Sequence, residues 1–320
     1  MSDTDSEFVV YPKRFLVVVL FGLSQFMISV LLNTLNPIAA YLCDIYDQQP
    51  VVVNLGGLLF ALMHPIFTFP ASYVIDTYGT KVGIGLGCIL GILGVSMRML
   101  VNSSFAWVIA GQVVAGIGRP FILNCQAKVS ANWFSAKTRG GVTQILTLVL
   151  NVSLVIGILI PGFVFNGYHP DTKDPVNIEK GRDITFKLML IQTILALICF
   201  IPNIFFQSSK PPTPPSASGN IERQPFSVAI PKMLKNKNFL LLLISFGCFF
   251  GIFNAISITL SYLIQPFFSH DSLPLAVAAV GGSPVISGII GVMLIGPVQR
   301  KQGKLKKWII ICMLGKKYFI

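Results

Sequence analysis

Residues 115–121 read Ala-Gly-Ile-Gly-Arg-Pro-Phe and set one arginine, Arg119, inside the apolar run 107–125, which carries no other charge. A guanidinium in such surroundings is expensive unless it faces protein or water, so it marks a candidate solute pathway. Arg119 stands nine residues before Lys128, about 14 Å along a helix that rises ~1.5 Å per residue. Against a hydrocarbon core about 30 Å thick, that is close to the midplane. The plain structural alternative is an arginine paired to backbone carbonyls freed near Pro120. The same logic selects Gln25, Ser29, Asn33, Thr34 and Asn36 ahead of Pro37 in the first apolar run. It also selects Asn254, Ser257, Thr259 and Ser261 in a later one. Such groups should turn into a helix bundle, for helix–helix hydrogen bonding or for a ligand. His64, just before Pro65, has a structural hydrogen bond as its plain role and proton coupling as the functional alternative.

No pattern for covalent or metal chemistry accompanies them. The chain has no His-Glu-x-x-His, no Gly-x-Ser-x-Gly and no paired aspartates within an apolar run. No enzyme activity and no cofactor is therefore expected. Six scattered cysteines form neither a Cys-x-x-Cys pair nor a Cys/His cluster, so neither a disulfide framework nor a zinc site is indicated. Gly83, Gly87 and Gly91 recur every four residues without a preceding strand, which points to close helix packing rather than nucleotide binding.

The elements that must position these residues follow from composition. Of 320 residues, 53% are hydrophobic and 11% charged, whereas a soluble domain carries about 25% charged residues. Lipid is the natural solvent, and in lipid the spanning elements must be helices. The expected fold class is an all-α membrane protein. Spans are expected at 15–43, 51–75, 82–101, 105–127, 141–165, 187–206, 239–268 and 275–298, with a ninth beginning near Trp308. Pro65, Pro70, Pro120 and Pro161 fall within spans and are candidate kinks.

Sixteen lysines and arginines fall on one side of this array, at the N-terminus, the 2–3, 4–5 and 8–9 loops and the segment after span six. Only Lys173, Lys180, Arg182 and Lys187 fall opposite, in the 5–6 loop. The net charge of +12 thus reads as topology rather than nucleic-acid binding, and the N-terminus is expected to be cytoplasmic. Whether the membrane is the plasma membrane or an endomembrane is left open. The expected organisation is a cytoplasmic tail 1–14, a six-helix bundle 15–207, a Pro/Ser/Lys linker 208–238 and a partial second bundle 239–320.

Two loops carry a more specific pattern. In residues 74–83, Asp76, Gly79 and Lys81 fit the loop motif G-x-x-x-D-x-x-G-x-[RK] of major facilitator transporters, with Ser72 in place of its leading glycine. Gly79 would allow a tight turn between packed helices. Residues 129–143 hold Trp133-Phe134 followed by Arg139-Gly140, another facilitator element, and Ser135 could cap the helix after it. Asp76, Gly79, Lys81 and Arg139 are the candidate gating-loop residues.

The resemblance sharpens over longer stretches. Residues 105–134 and 67–81 resemble the fourth and second spans, with their following loops, of the feline leukaemia virus subgroup C receptor-related transporters. Residues 210–218, Lys-Pro-Pro-Thr-Pro-Pro-Ser-Ala-Ser, resemble their proline-rich linker, and 245–257 and 281–297 their seventh and eighth spans. The resemblance implies the major facilitator fold, with a complete N-terminal six-helix bundle and, here, a partial C-terminal one. It also implies transport of a small organic solute by alternating access. Family members that take choline surround its ammonium with aromatic rings and a glutamine. Matched onto this chain, the first-span tryptophan becomes Asn33, the fourth-span glutamine Arg119 and the seventh-span tyrosine Asn254. With Gln112, these are the candidate substrate-binding residues. A fixed cation there suits an anionic or neutral polar solute better than a choline-like cation. Haem stays open as a solute. A second expectation stands beside this one, because two spans and a stub follow the linker: a truncated, non-transporting fragment or paralogue that acts at most as a membrane interaction protein.

Overall fold

The structure is a computed structural model. It describes residues 11–302 except 136, 169, 214, 216–225 and 269–272, so the expected ninth span lies outside the described residues, as does part of the linker.

Every regular element among the described residues is helical. Seven segments are long and apolar enough to cross a membrane. The first comprises α1 (Lys13–Asn33), a 3₁₀ turn (Asn36–Ile38) and α2 (Ala39–Tyr46). There follow α3 (Pro50–Tyr78), α4 (Thr80–Arg98) with a 3₁₀ extension (Met99–Asn102), and α5 (Ala106–Leu123) running into α6 (Gln126–Trp133). Then come α7 (Arg139–Val164), α8 (Pro175–Phe206), the short α9 (Phe226–Lys235) in the linker, and α10 (Lys237–Ile264) with a 3₁₀ turn (Gln265–Phe267). The expected eighth span is α11 (Leu273–Gln302). The chain is a multi-pass integral membrane protein.

The prolines behave differently from expectation. Pro65, Pro70, Pro120 and Pro161 all lie inside unbroken helices. The break is at Pro37, where the absent N–H leaves the Asn33 carbonyl without its helical donor and the ring crowds it. The sixth helix also starts twelve residues before the expected span. Pro175 stands at its first position, and the Asp174 carboxylate accepts from Val176 N at 3.0 Å. The charged stretch read as loop, Lys180 to Lys187, is therefore the opening of α8. Ser135 caps no helix. Its carbonyl takes the amides of Thr138 and Arg139 in a turn, so α7 starts only after Thr138.

Helices α4 and α5 pack backbone to backbone. A Cβ at Gly94 would sit 2.6 Å from Gly111 O, and one at Gly118 2.8 Å from Gly87 O. Small residues on both helices are what let them approach so closely. Similar contacts set α3 against α5, where a Cβ at Gly116 would lie 2.9 Å from Phe60 O, and α7 against α1, at Gly157 and Val30. Outward apolar side chains such as Leu62, Phe69, Ile145 and Phe249 stay exposed, as suits a hydrocarbon surround. Helix α10 packs chiefly through its second half, where Ile258, Leu260 and Ser261 are buried.

Candidate functional site

The broken first helix presents its polar residues inward. At the break, Asn36 Nδ2 donates to Asn33 Oδ1 at 3.3 Å, and both side chains are buried. Gly57 of α3 lies against Asn36, leaving 3.1 Å between a hypothetical Cβ and Oδ1. Gln112 of α5 reaches the same segment, its Nε2 donating to Leu31 O at 3.4 Å, while its Oε1 is buried without a partner. Asn33, Asn36 and Gln112 thus form one polar layer between α1, α3 and α5.

Arg119 lies two turns further along α5 from Gln112 and on the same stripe, since seven residues bring a helix back almost to its starting angle. It is 8% exposed. Its Nε is buried with no hydrogen-bond partner, and none of its nitrogens forms an ion pair or hydrogen bond among the described residues. The structural alternative, pairing to carbonyls freed near Pro120, is not seen among the described residues. On α3, His64 follows Met63, which packs against Gly116 of α5, and its Nδ1 is buried without a hydrogen-bond partner. A cation and an imidazole without acidic neighbours leave open donors for a ligand that brings negative charge or lone pairs. Asn254 is on α10, whose Ile258 touches Gly57, but its Nδ2 donates to Phe250 O of its own helix at 2.8 Å. No hydrogen bond joins it to Asn33, Gln112 or Arg119 among the described residues.

A second buried arginine escapes the sequence reading. Arg98, at the end of α4, is 1% exposed and hydrogen-bonded to Gln192 of α8. The signal that identifies Arg119, a single charge in an apolar run, is present at Arg98 as well, close to the end of its span.

The loop residues form a separate cluster. Lys128 Nζ pairs with Asp76 Oδ1 at 2.9 Å and also donates to Ile75 O at 2.8 Å. Gly79 adopts φ +89°, the region that favours glycine, and joins α3 to α4. The start of the linker lies across this turn. Ser209 Oγ accepts from Lys81 N at 2.9 Å, and its carbonyl accepts from Thr80 and Asn132. Ser208 O accepts from Trp133 Nε1. Arg139 opens α7, where its carbonyl accepts from Thr143.

Comparison with known proteins places this architecture. The chain is 22% identical to solute carrier family 49 member A3 of Danio rerio, over 98% of this chain and 64% of that protein. It is 25% identical to the choline/ethanolamine transporter FLVCR1 of Mus terricolor, over 89% and 53% respectively. The chain therefore spans between about half and two thirds of the length of these relatives. Among solved structures, a bacterial homologue of the human lysosomal transporter Spinster, inward-facing and unoccupied, superposes with a TM-score of 0.63 at 16% identity, covering 92% of this chain and 64% of that one. A D-xylose–proton symporter superposes with a TM-score of 0.58 at 13% identity, over 88% and 69%. These likenesses establish the fold. The family profile of the Major Facilitator Superfamily matches residues 15–315, which is nearly the whole sequence, and the chain belongs to that superfamily.

Proposed function

We propose that the protein carries a small polar organic solute, anionic or neutral, across a membrane by alternating access, with Asn33, Gln112, Arg119 and Asn254 lining the pathway. In this reading residues 15–207 are the N-terminal half, 208–238 the linker, and the helices after it belong to the second half. The two halves rock around a midplane site. Asp76, Gly79, Lys81 and Arg139 belong to the loops that close one side. The N-terminus and linker face the cytoplasm, because that side holds the excess of lysine and arginine.

The observation that carries the solute class is Arg119 itself: a buried cation in the middle of the span Ala106–Trp133, with no acid and no carbonyl paired to it among the described residues. Its uncompensated charge costs several kcal/mol until a counter-charge or strong acceptor arrives. The named FLVCR1 relative is a choline/ethanolamine transporter, and a positively charged headgroup would meet repulsion at this guanidinium.

The test is uptake into proteoliposomes of labelled choline and of a panel of small labelled carboxylates, for the wild type and Arg119→Gln. We expect carboxylate uptake and no choline uptake from the wild type. Arg119→Gln should lose the carboxylate and gain tolerance for choline. The same preference in both proteins would overturn the assignment of Arg119.

A further inference from the structure

Arg98 is the most completely buried charge described, and its surroundings define a direction. A Cβ at Gly111 would lie 2.7 Å from Arg98 Cγ, so the side chain leaves α4 along the bare face of α5. Its Nη2 donates to Gln192 Oε1 on α8 at 3.0 Å. Gln192 Nε2 donates to Thr34 Oγ1 at 3.1 Å, and Thr34 Oγ1 donates to Val30 O at 3.0 Å. All three side chains are buried.

Guanidinium has five donors and no acceptor. It therefore fixes the Gln192 amide with its oxygen toward α4 and its NH₂ toward α1. That in turn makes the Thr34 hydroxyl an acceptor from Gln192 and directs its proton to Val30. Each link forces the orientation of the next. Thr34 is the first residue after α1, directly before the break, with Asn33 on one side and Asn36 two residues beyond. In the first helix, then, the relay terminates where the helix has lost a backbone hydrogen bond to Pro37.

We propose that Arg98, Gln192 and Thr34 are positioning residues: an oriented relay from α4 through α8 that holds the helix-1 break in place and so sets Asn33 and Asn36 toward the pathway. The significance for solute binding rests on the transporter reading above; the relay itself does not. No hydrogen bond joins Arg98 to Asn33, Asn36 or Gln112 among the described residues, and it acts through Gln192 and Thr34.

Hydrogen–deuterium exchange of the purified full chain in lipid nanodiscs tests it, read at residues 33–39 and alongside the melting temperature. Thr34→Val keeps the shape and removes the hydroxyl, and we expect about tenfold faster exchange at the break, the effect of losing one buried hydrogen bond. Thr34→Ser should restore the wild-type rate. Gln192→Glu separates positioning from bulk stability. Its carboxylate gives Arg98 a counter-charge, so melting should be unchanged or higher. It also takes the Thr34 proton away from Val30, so exchange at 33–39 should still rise. Unchanged exchange at 33–39 in Thr34→Val overturns the proposal, as does a rise no greater than that of the other spans. If Gln192→Glu does not fold, the Val and Ser pair decides alone. A failed uptake test for Arg119 would leave this result intact, and the reverse holds too.

Discussion

Arg119 and Arg98 look alike in the sequence, each a single cation in an apolar run, yet their neighbours divide them. Arg98 donates from Nη2 to Gln192, although its Nε and Nη1 are buried without partners, whereas Arg119 has no hydrogen bond or ion pair among the described residues. The first is suited to holding structure and the second to receiving a ligand. A contrasting charge is the pair of Lys128 with the part-exposed Asp76. Screening limits such a pair to less than about 1 kcal/mol. Asp76→Asn should therefore shift the melting temperature little. Lys128→Met should cost more, because it also strips the Ile75 carbonyl of its donor, and thermal unfolding of both variants in low and high salt would show the difference.

Among the elements, the α4–α5 pair is the tightest, and glycine is the reason. Gly94→Ala puts a methyl group into the Gly111 carbonyl and the Ala115 side chain, and neither backbone can yield. Overpacking of this kind costs about 1–3 kcal/mol or more, so we expect a sharp fall in folded yield and melting temperature. Gly85→Ala on the same helix meets nothing within 4 Å. It should be neutral or stabilising, by up to about 1 kcal/mol from helix propensity. A fall of equal size for both would remove close packing as the explanation. The Gly79 turn gives a third case. Alanine there must hold φ +89° and also meet Ser209 Oγ at 2.8 Å, for a cost of roughly 1–3 kcal/mol. Limited proteolysis between α3 and α4 should then become faster.

For the whole molecule, the contacts among loops fix which segments share a side. Tyr11 OH lies 3.0 Å from Thr213 Oγ1, and the linker start is hydrogen-bonded to the 2–3 turn and to α6. The N-terminus, the 2–3 turn and the linker therefore stand together at one end of the bundle. That end carries Lys81, Lys128 and Lys210, and it is the cytoplasmic end in the orientation proposed above. An N-terminal epitope tag should stain only after cells are permeabilised, and staining of intact cells would reverse the orientation.

The sequence by itself determined the class and the superfamily, because hydrophobic length and loop charge are local properties that lipid imposes on any chain. It also identified Asn33 and Arg119 as polar groups that had to face inward. It did not distinguish which proline breaks a helix, since Pro65 and Pro37 differ in packing and in freed carbonyls rather than in type. Asn254 read like Asn33, but its amide donor bonds its own helix. The partners of Arg98 lie 94 and 64 residues away along the chain, at Gln192 and Thr34. Only the fold brings α4, α8 and the broken α1 together, and hydrogen bonds between groups so far apart in sequence leave no periodic trace to read.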